Sequence, residues 1–378
     1  MNKGNLIMVE IDKDIVEVCR HFNIMGEPVS QGVFTDGHIN STLLLEFNED
    51  GEAKKYLIQG VNTHVFKNPK ELMENIVSVT SFLKKKIEEN GGDAERETLT
   101  FLQADTGDYY FYSGEKCWRI YKFIDNSHTT NKIENKAHFE TAGRSFGNFQ
   151  KHLADYPMET LHETIKDFHN TPKRFDNLEA SIKNNLAGRA DSVKADIEFA
   201  MARRPKAGRL LDLHAQGRIP LRVTHNDTKL NNILFDDETN EGICVIDLDT
   251  IMPGFSLYDF GDAIRFGGNT TREDDDNLDN VQISLELFES YAEGFLSASA
   301  KALTIDEVEN LAFSAMLMTL ECGIRFLADY LDGDIYFRTH YPEHNLIRAR
   351  NQFKLVYEIE QHMDEMNEIV MNIYKKYA

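Results

Sequence analysis

The sequence predicts an α+β protein in which a small antiparallel β-sheet, accompanied by one long helix, precedes a larger and mainly helical region. Short apolar runs separated by turn residues dominate the first 125 residues. From residue 135 onward most of the chain has helical spacing. A doubly wound parallel sheet would instead alternate strands and helices throughout. We therefore predict an N-terminal lobe at residues 1–125 and a C-terminal lobe at residues 126–378.

The composition limits the classes of partner. The chain has 378 residues, of which 41% are hydrophobic, so it can form two packed lobes. Its formal net charge of −22 repels nucleic acid phosphates and anionic membrane surfaces, so we expect neither as a partner. The four cysteines are scattered without a C-x-x-C pair, and the N-terminal residues lack the apolar segment of a signal peptide. We therefore expect a soluble, cytoplasmic protein.

A glycine-bearing loop followed by two strands opens the first lobe. The loop is Gln31–Asn40, and the strand patterns that follow it are Thr42–Phe47 and Tyr56–Val61. Loop, strand, turn and strand in this order are typical of a hairpin that covers a nucleotide. The loop is not a Walker A motif, because Gly37 is followed by His38 rather than by Lys and Ser or Thr. An ordinary surface turn is the alternative interpretation.

The remaining elements follow from apolar spacing. The first lobe has further strands at Leu99–Ala104, Tyr109–Tyr112 and Cys117–Ile124 and helices at Ile11–Phe22 and Asn68–Glu89. The second lobe has helices at Lys136–Leu153, Leu161–Phe168, Phe175–Gly188, Ser192–Arg203, Ala207–Gln216, Asn280–Leu296, Thr304–Leu331 and Pro342–Lys376. Gly143 and Gly147 lie four residues apart in one helix and would let another backbone approach closely, although plain packing glycines are equally compatible.

The most informative stretch runs from His225 to Asn232 and has the pattern H-x-D-x-K-x-x-N. Two short apolar runs follow it, separated by a turn, and the second run ends at Asp247. This is the spacing of a kinase catalytic loop followed by a metal-binding carboxylate. The two runs would form a hairpin that brings Asn232 and Asp247 to the same end, although 15 residues separate them. A surface loop rich in Asp and Asn is the competing explanation.

Phosphoryl transfer needs a positioned acceptor hydroxyl and neutralised charge on a triphosphate. Asp227 is the candidate base for the hydroxyl proton, and Lys229 is placed to meet the γ-phosphate. Asn232 and Asp247 supply the hard oxygen ligands that Mg²⁺ prefers. Asp249 either joins them as a metal ligand or hydrogen-bonds loop backbone. His225 is interpreted as structural, since Asp227 already supplies a base.

These motifs resemble the aminoglycoside phosphotransferase/choline kinase family, which has the bilobal protein-kinase-like fold. Within that family, His225–Asn232, Val245–Thr250 and Gly323–Leu331 are similar to the bacterial N-acetylhexosamine 1-kinases. So are Gly37–Asn40, Met252–Gly254 and Asp334–Phe337. The resemblance implies an alcohol phosphotransferase that uses ATP and Mg²⁺ to phosphorylate the anomeric hydroxyl of a small-molecule sugar, N-acetylglucosamine or N-acetylgalactosamine.

The resemblance also implies residue roles. Asp227 becomes the base, Asn232 and Asp247 become the metal ligands, and Arg325 and Tyr336 become sugar contacts. From the residues alone, Arg325 interrupts an apolar helix and needs a partner, so an ion pair with Asp262 or Glu321 is an equal alternative. Packing is an equal alternative for Tyr336. Phe266 is a candidate for stacking on the sugar ring or for core packing.

The segment Asp259–Asp262 has the letters D-F-G-D but follows the metal-binding carboxylate. We therefore predict that it caps the next helix and braces the catalytic loop, instead of binding metal.

One departure concerns the phosphate-binding lysine of kinase-like enzymes, which lies on the third strand of the sheet. The corresponding strand carries Gln59 instead, and Glu74 on the next helix would lack its usual partner. The candidates for phosphate contact are His38, Asn40, Gln59 and Lys67, and the adenine is expected to stack against Tyr121–Ile124. A kinase for an aminoglycoside or another sugar stays an alternative, as does a non-catalytic, pseudokinase-like nucleotide-binding module.

Overall fold

The computed structural model describes residues 6–35 and 40–378. Gly37 and His38, two predicted nucleotide-binding residues, lie outside the described residues. The strands are β1 (Leu6–Val9), β2 (Glu27–Phe34), β3 (Ser41–Glu49), β4 (Glu52–Val61), β5 (Phe111–Ser113), β6 (Lys116–Lys122), β7 (Ser127–His128), β8 (Arg222–Thr224), β9 (Ile233–Asp236), β10 (Gly242–Val245) and β11 (Met252–Gly254).

The helices are α1 (Lys13–His21), α2 (Pro69–Glu89), α3 (Ala94–Glu97), α4 (Lys136–His152), α5 (Thr171–Asn184), α6 (Lys194–Met201), α7 (Arg209–Ala215), α8 (Ser256–Gly267), α9 (Leu285–Ser299), α10 (Ile305–Val308), α11 (Leu311–Asp332), α12 (His344–Gln361) and α13 (Met363–Tyr377). This segregation of strands and helices confirms the predicted α+β class.

The chain forms two compact units. Unit 1 consists of Met1–Asn131, Asp155–Ile165 and Asn231–Met252. Unit 2 consists of Lys132–Ala154, Lys166–Leu230 and Pro253–Ala378. Two short segments from the later part of the chain thus belong to unit 1. The lobe boundary after residue 125 stays a prediction.

Unit 1 is built on an antiparallel sheet with the strand order β1-β2-β3-β4-β6-β5. The predicted strands at 42–47 and 56–61 are confirmed as β3 and β4, which pair along their whole length. Side chains alternate between the two faces of the sheet, and Leu45, Phe47 and Ile58 point to the same face. They form a core in which each side chain is completely buried. Apolar side chains of α1 complete this core.

Two predictions in unit 1 are wrong. Gln31–Phe34, predicted as loop, is the end of β2, because its backbone pairs with β1 on one side and β3 on the other. Leu99–Ala104, predicted as a strand, makes only an isolated bridge between Phe101 and Tyr121. Its backbone leaves β6 at once, since Ala104 N–H donates to the carbonyl of Asp108 at 2.7 Å and closes a turn.

The predicted hairpin after the catalytic motif is confirmed. β9 and β10 pair antiparallel with Val245 opposite Ile233. The pairing continues one step further, because the Ile246 N–H donates to the carbonyl of Asn232 at 2.9 Å. Asn232 and Asp247 therefore lie at the same end of one hairpin, within unit 1.

The predicted helix at Leu161–Phe168 is absent. His162 lies there in irregular backbone, and Asn75 of α2 satisfies both of its backbone groups. The His162 N–H donates to Asn75 Oδ1 at 2.9 Å, and Asn75 Nδ2 donates to the His162 carbonyl at 2.8 Å. Backbone groups that a side chain satisfies in this way do not need helical hydrogen bonds.

Two long helical predictions are divided in the structure. Thr304–Leu331 splits into α10 and α11, and Pro342–Lys376 splits into α12 and α13. By length and composition α11 could cross a membrane, but 83% of its most apolar window is buried inside the protein. That burial is typical of the core helix of a globular protein.

The close approach predicted for Gly143 and Gly147 is confirmed in unit 2, where α4 packs against α9. A Cβ on Gly143 would lie 2.3 Å from the carbonyl oxygen of Tyr291, and one on Gly147 would lie 2.5 Å from that of Phe295. Gly294 on the opposing helix is equally constrained by the Glu140 carbonyl. Hydrogen atoms at these positions let the two backbones touch.

We predict that Gly143→Ala lowers the free energy of unfolding by about 1–3 kcal/mol, because the helices must separate to admit the methyl group. Urea unfolding followed by circular dichroism measures the change. Gly208→Ala is the control, since its nearest neighbouring atom is 3.6 Å from an added Cβ. Equal unfolding midpoints for the two variants would contradict the prediction.

Candidate active site

The catalytic motif begins in unit 2 where β8 ends. His225 is completely buried, and its ring meets Phe146 and Phe149 edge-on at centroid distances of 5.7 and 6.2 Å. Its Nδ1 accepts a hydrogen bond from the Asp227 N–H at 3.3 Å. These contacts support the structural role predicted for His225.

Asp259 holds the backbone of the same motif. Its Oδ1 accepts the Asn226 N–H at 2.7 Å and its Oδ2 accepts the His225 N–H at 3.0 Å. Gln150 Nε2 donates to Oδ2 at 2.7 Å, and the Thr228 hydroxyl donates to the Asp259 carbonyl at 2.5 Å. The predicted bracing of the loop is confirmed. The predicted helix cap is wrong, because Asp259 lies inside α8.

A second support of the loop was not predicted from the sequence. Asn226 has a positive φ of 63°, and its carbonyl lies 3.2 Å from His169 Nε2. The other ring nitrogen of His169 lies 2.9 Å from Glu321 Oε1, and the Thr171 hydroxyl donates to Glu321 Oε2 at 2.7 Å. Burial raises the pKa of Glu321, but the hydrogen bonds from His169 and Thr171 outweigh burial and hold it below its usual range.

Asp227 and Lys229 form a half-exposed ion pair with 2.6 Å between Oδ1 and Nζ. Burial raises the pKa of Asp227, but the charge of Lys229 and its hydrogen bond lower it below the ordinary carboxyl value. The Lys229 pKa is raised in spite of burial, because Asp227 and Asp262 stabilise its charged form. Asp227 is therefore ionised at neutral pH, as a general base must be.

Arg265 lies beside this pair and is itself neutralised. Its Nε donates to Asp262 Oδ1 and its Nη1 donates to Glu273 Oε1, each at 2.8 Å. Asp262 thus belongs to a buried charge network of α8. It is not bonded to Arg325, which was one of the two ion-pair alternatives for that arginine.

The predicted metal ligands lie in unit 1, at the open end of the β9–β10 hairpin. Asp247 has a left-handed backbone with φ 59° and begins the helical turn Leu248–Thr250. A carboxylate and an amide oxygen at one end of a hairpin suit Mg²⁺, which takes hard oxygen ligands and few of them from protein. The described ranges 6–35 and 40–378 hold no cluster of three or more His, Cys, Asp or Glu side chains suited to a metal.

Asp249 follows two residues later, and both of its carboxylate oxygens accept hydrogen bonds from unit 1. Arg119 Nη1 donates to Oδ1, and Asn40 Nδ2 donates to Oδ2 at 2.5 Å. The remaining partner of Arg119 is Gln59, whose own amide donates to Thr42 at 3.1 Å. These contacts support a bracing role for Asp249 and place Gln59 and Asn40 in the same network.

A small apolar cleft in unit 1 contains the predicted adenine-stacking residues. Its lining comprises Leu57, Leu99, Tyr121, Lys122, Phe123, Ile124, Leu234 and Ile246. Gln59 does not line this cleft. Apolar walls on both sides of a narrow cleft suit a flat aromatic ring.

The predicted sugar contacts Arg325 and Tyr336 lie together in unit 2. The Arg325 guanidinium is 5.9 Å from the Tyr336 ring centroid and 5.4 Å from that of Phe337. The Tyr336 side chain is exposed, and its N–H donates to Asp329 at 2.8 Å. The second ion-pair alternative for Arg325 is not observed either, because Glu321 bonds to His169. Phe266 is half-buried at the end of α8.

Several solved structures described as kinases or phosphotransferases are similar to this chain. A spectinomycin phosphotransferase in complex with ADP and spectinomycin matches with a TM-score of 0.57 and 13% identity, over 94% of this chain and 100% of that one. A choline kinase from Cryptosporidium parvum matches with a TM-score of 0.54 and 14% identity, over 96% and 99%. An ethanolamine kinase from Plasmodium vivax matches with a TM-score of 0.55 and 14% identity, over 91% and 90%. The structural likeness shows that the chain has the protein-kinase-like fold. At identities this low, it shows the fold alone.

A family model described as "Phosphotransferase enzyme family" matches residues 100–293, which is more than half of the chain. The matched region contains the catalytic motif, the hairpin and the whole of α8. The chain therefore belongs to the phosphotransferase enzyme family.

Proposed function

We propose that the protein is an ATP-dependent kinase that phosphorylates the anomeric hydroxyl of an N-acetylhexosamine. The observation that carries the proposal is the ionised Asp227, held by Lys229 on a loop whose backbone Asp259 fixes. A carboxylate that stays ionised at neutral pH can accept the proton of an alcohol. The spectinomycin phosphotransferase that shares the fold was solved with ADP, which supports a nucleotide as the phosphoryl donor.

In the proposed reaction the acceptor oxygen attacks the γ-phosphorus and its proton passes to Asp227. The bond from that phosphorus to the β,γ-bridging oxygen breaks, and ADP leaves. Lys229 keeps Asp227 ionised beforehand. Asn232 and Asp247 would hold Mg²⁺, which when bound neutralises charge on the phosphates. The apolar cleft around Tyr121 and Ile124 would hold the adenine.

The surroundings of Arg325 support the proposed acceptor class. No carboxylate pairs with its guanidinium anywhere in the described parts of the chain, and its charge faces the rings of Tyr336 and Phe337. Arg174 lies near enough for its pKa to be lowered, first by burial and then by the charge of Arg325. Two mutually repelling guanidinium groups disfavour a cationic acceptor such as an aminoglycoside. They favour a neutral acceptor with a carbonyl oxygen, such as the acetamido group of an N-acetyl sugar.

Turnover of an N-acetylhexosamine tests the proposed function directly. The enzyme with Mg²⁺ and ATP should convert N-acetylglucosamine or N-acetylgalactosamine to the sugar 1-phosphate, observed by phosphorus NMR. Asp227→Asn should lower kcat by about 100-fold or more, because the amide cannot accept the hydroxyl proton. Asp279→Asn, on the exposed surface of unit 2, is the control.

Each failure of that experiment has a distinct meaning. Absence of turnover on every hexosamine, with turnover of another alcohol, would leave the kinase proposal and remove its acceptor. Nucleotide binding without turnover of any alcohol would indicate a non-catalytic nucleotide-binding module. Full activity of Asp227→Asn would remove the assigned base.

The pH dependence of kcat tests the role of Lys229. With Asp227 held below its ordinary pKa, wild-type activity should persist as pH falls until it is below the usual carboxyl range. In Lys229→Met, burial raises the Asp227 pKa without opposition from the ammonium, so the acidic limb should move up by about one pH unit or more. Lys229→Arg keeps the charge and should keep the limb in place. An unmoved limb in Lys229→Met would contradict the assignment.

A comparison of acetylated and free amino sugars tests Arg325. At pH 6.5, where its amine is protonated, glucosamine should have a kcat/KM about tenfold or more below that of N-acetylglucosamine, since its ammonium meets the guanidinium. Arg325→Met should reduce this preference, whereas Lys173→Met, on the exposed side of α5, should preserve it. Equal kcat/KM values for both sugars with the wild-type enzyme would show that Arg325 does not face the acceptor.

A further inference from the structure

Kinase-like enzymes carry a lysine on the third strand of the sheet. The corresponding strand of this chain carries Gln59 instead, and unit 1 holds an arginine, Arg119, beside it. Gln59 on β4 occupies the lysine position, and Arg119 lies directly opposite it on β6. Glu74 on α2, which would normally pair with the lysine, bonds to His162 Nε2 at 2.8 Å instead. The usual lysine–glutamate pair is therefore replaced at both of its positions.

Arg119 is buried, with only 2% of its surface exposed. One acceptor atom, Gln59 Oε1, binds two of the three guanidinium nitrogen atoms. The Arg119 Nε–H and Nη2–H donate to Gln59 Oε1 at 2.9 and 2.7 Å. The Phe101 ring lies 5.8 Å from the guanidinium carbon, and Met73 Sδ lies 3.9 Å from Nη1. Gln59 thus fixes the guanidinium in one orientation, with Nη1 directed at Asp249.

Asp249 receives Arg119 on one oxygen and Asn40 on the other. Asn40 is in turn fixed, because its Oδ1 accepts the Asn62 N–H at 2.9 Å. The network therefore ties three strands of the sheet to the turn Leu248–Thr250. That turn starts at Asp247. Because Asp247 has a left-handed backbone, the chain leaves the direction of β10 at this residue.

The charges of this network also concern Asp247. Arg119 and Tyr121 both lie within the electrostatic reach of the Asp247 carboxylate. Asp249 and Arg119 neutralise each other, since Arg119 Nη1 pairs with Asp249 Oδ1 inside the protein. A buried guanidinium held in this way can set the position of a neighbouring carboxylate without contacting the ligand.

We propose that Arg119 is a positioning residue that, through Asp249, fixes the turn that presents Asp247 to the metal–nucleotide complex. This inference rests on the proposed role of Asp247 as a metal ligand. It assigns Gln59 to orienting Arg119 rather than to phosphate contact.

Isothermal titration of ADP with and without Mg²⁺ tests the proposal. The ratio of the two dissociation constants measures how strongly the protein uses the metal, independently of catalysis. Arg119→Met leaves Asp249 buried without its cation and is expected to unfold at a lower temperature. The double variant Arg119→Met with Asp249→Asn removes both charges, so its unfolding temperature should recover. Its Mg²⁺-dependent gain in ADP affinity should stay about tenfold or more below the wild-type gain.

Arg96→Met is the matched control, because Arg96 pairs with Asp236 at the other end of the β9–β10 hairpin, at 2.8 Å. It should leave the Mg²⁺-dependent gain unchanged. A double variant that recovers both stability and the full gain would overturn the proposal and make Arg119 only a stabilising ion pair. A wild-type protein whose ADP affinity does not respond to Mg²⁺ would instead contradict the proposed function.

Discussion

The arrangement of unit 2 depends on one buried carboxylate, that of Asp259. It accepts two consecutive backbone N–H groups of the catalytic loop, and its carbonyl accepts a third hydrogen bond from the same loop. The helix that carries it packs closely against α11, since a Cβ on Gly261 would lie 2.4 Å from the Ser314 carbonyl. The loop is thereby fastened through α8 to α11.

That constraint explains how a strained residue is kept in place next to the base. Asn226 has a positive φ, which costs free energy outside glycine unless the surroundings enforce it. Asp259 holds its N–H and His169 holds its carbonyl, so the peptide that leads into Asp227 is fixed at both ends. Glu321 orients His169 from within α11. If Asp227 is the base, as proposed, fixing its peptide in this way removes the entropy of aligning it during the reaction.

Local patterns in the sequence predict the catalytic loop, the hairpin and most helices, because these elements depend on neighbours within about ten residues. The supports of the site are different. Arg119 meets Asp249 across 130 residues, and His169 meets Glu321 across 152. A single sequence carries no signal for such pairs. The same limit explains the wrong helix at Leu161–Phe168, since Asn75, 87 residues away from His162, satisfies its backbone.

Net charge and local charge lead to opposite expectations for the acceptor, and distance decides between them. The overall charge of −22 attracts cations, but salt screens that attraction beyond about 8–10 Å. Guanidinium groups buried in the protein, such as those of Arg119 and Arg265, are screened much less. Arg119 and Arg265 are neutralised by carboxylates, whereas Arg325 faces only aromatic rings among its described contacts. Under the proposed function, a cationic acceptor would gain a weak attraction while approaching and meet repulsion at Arg325, where the acetamido oxygen of the proposed sugar would instead accept a hydrogen bond.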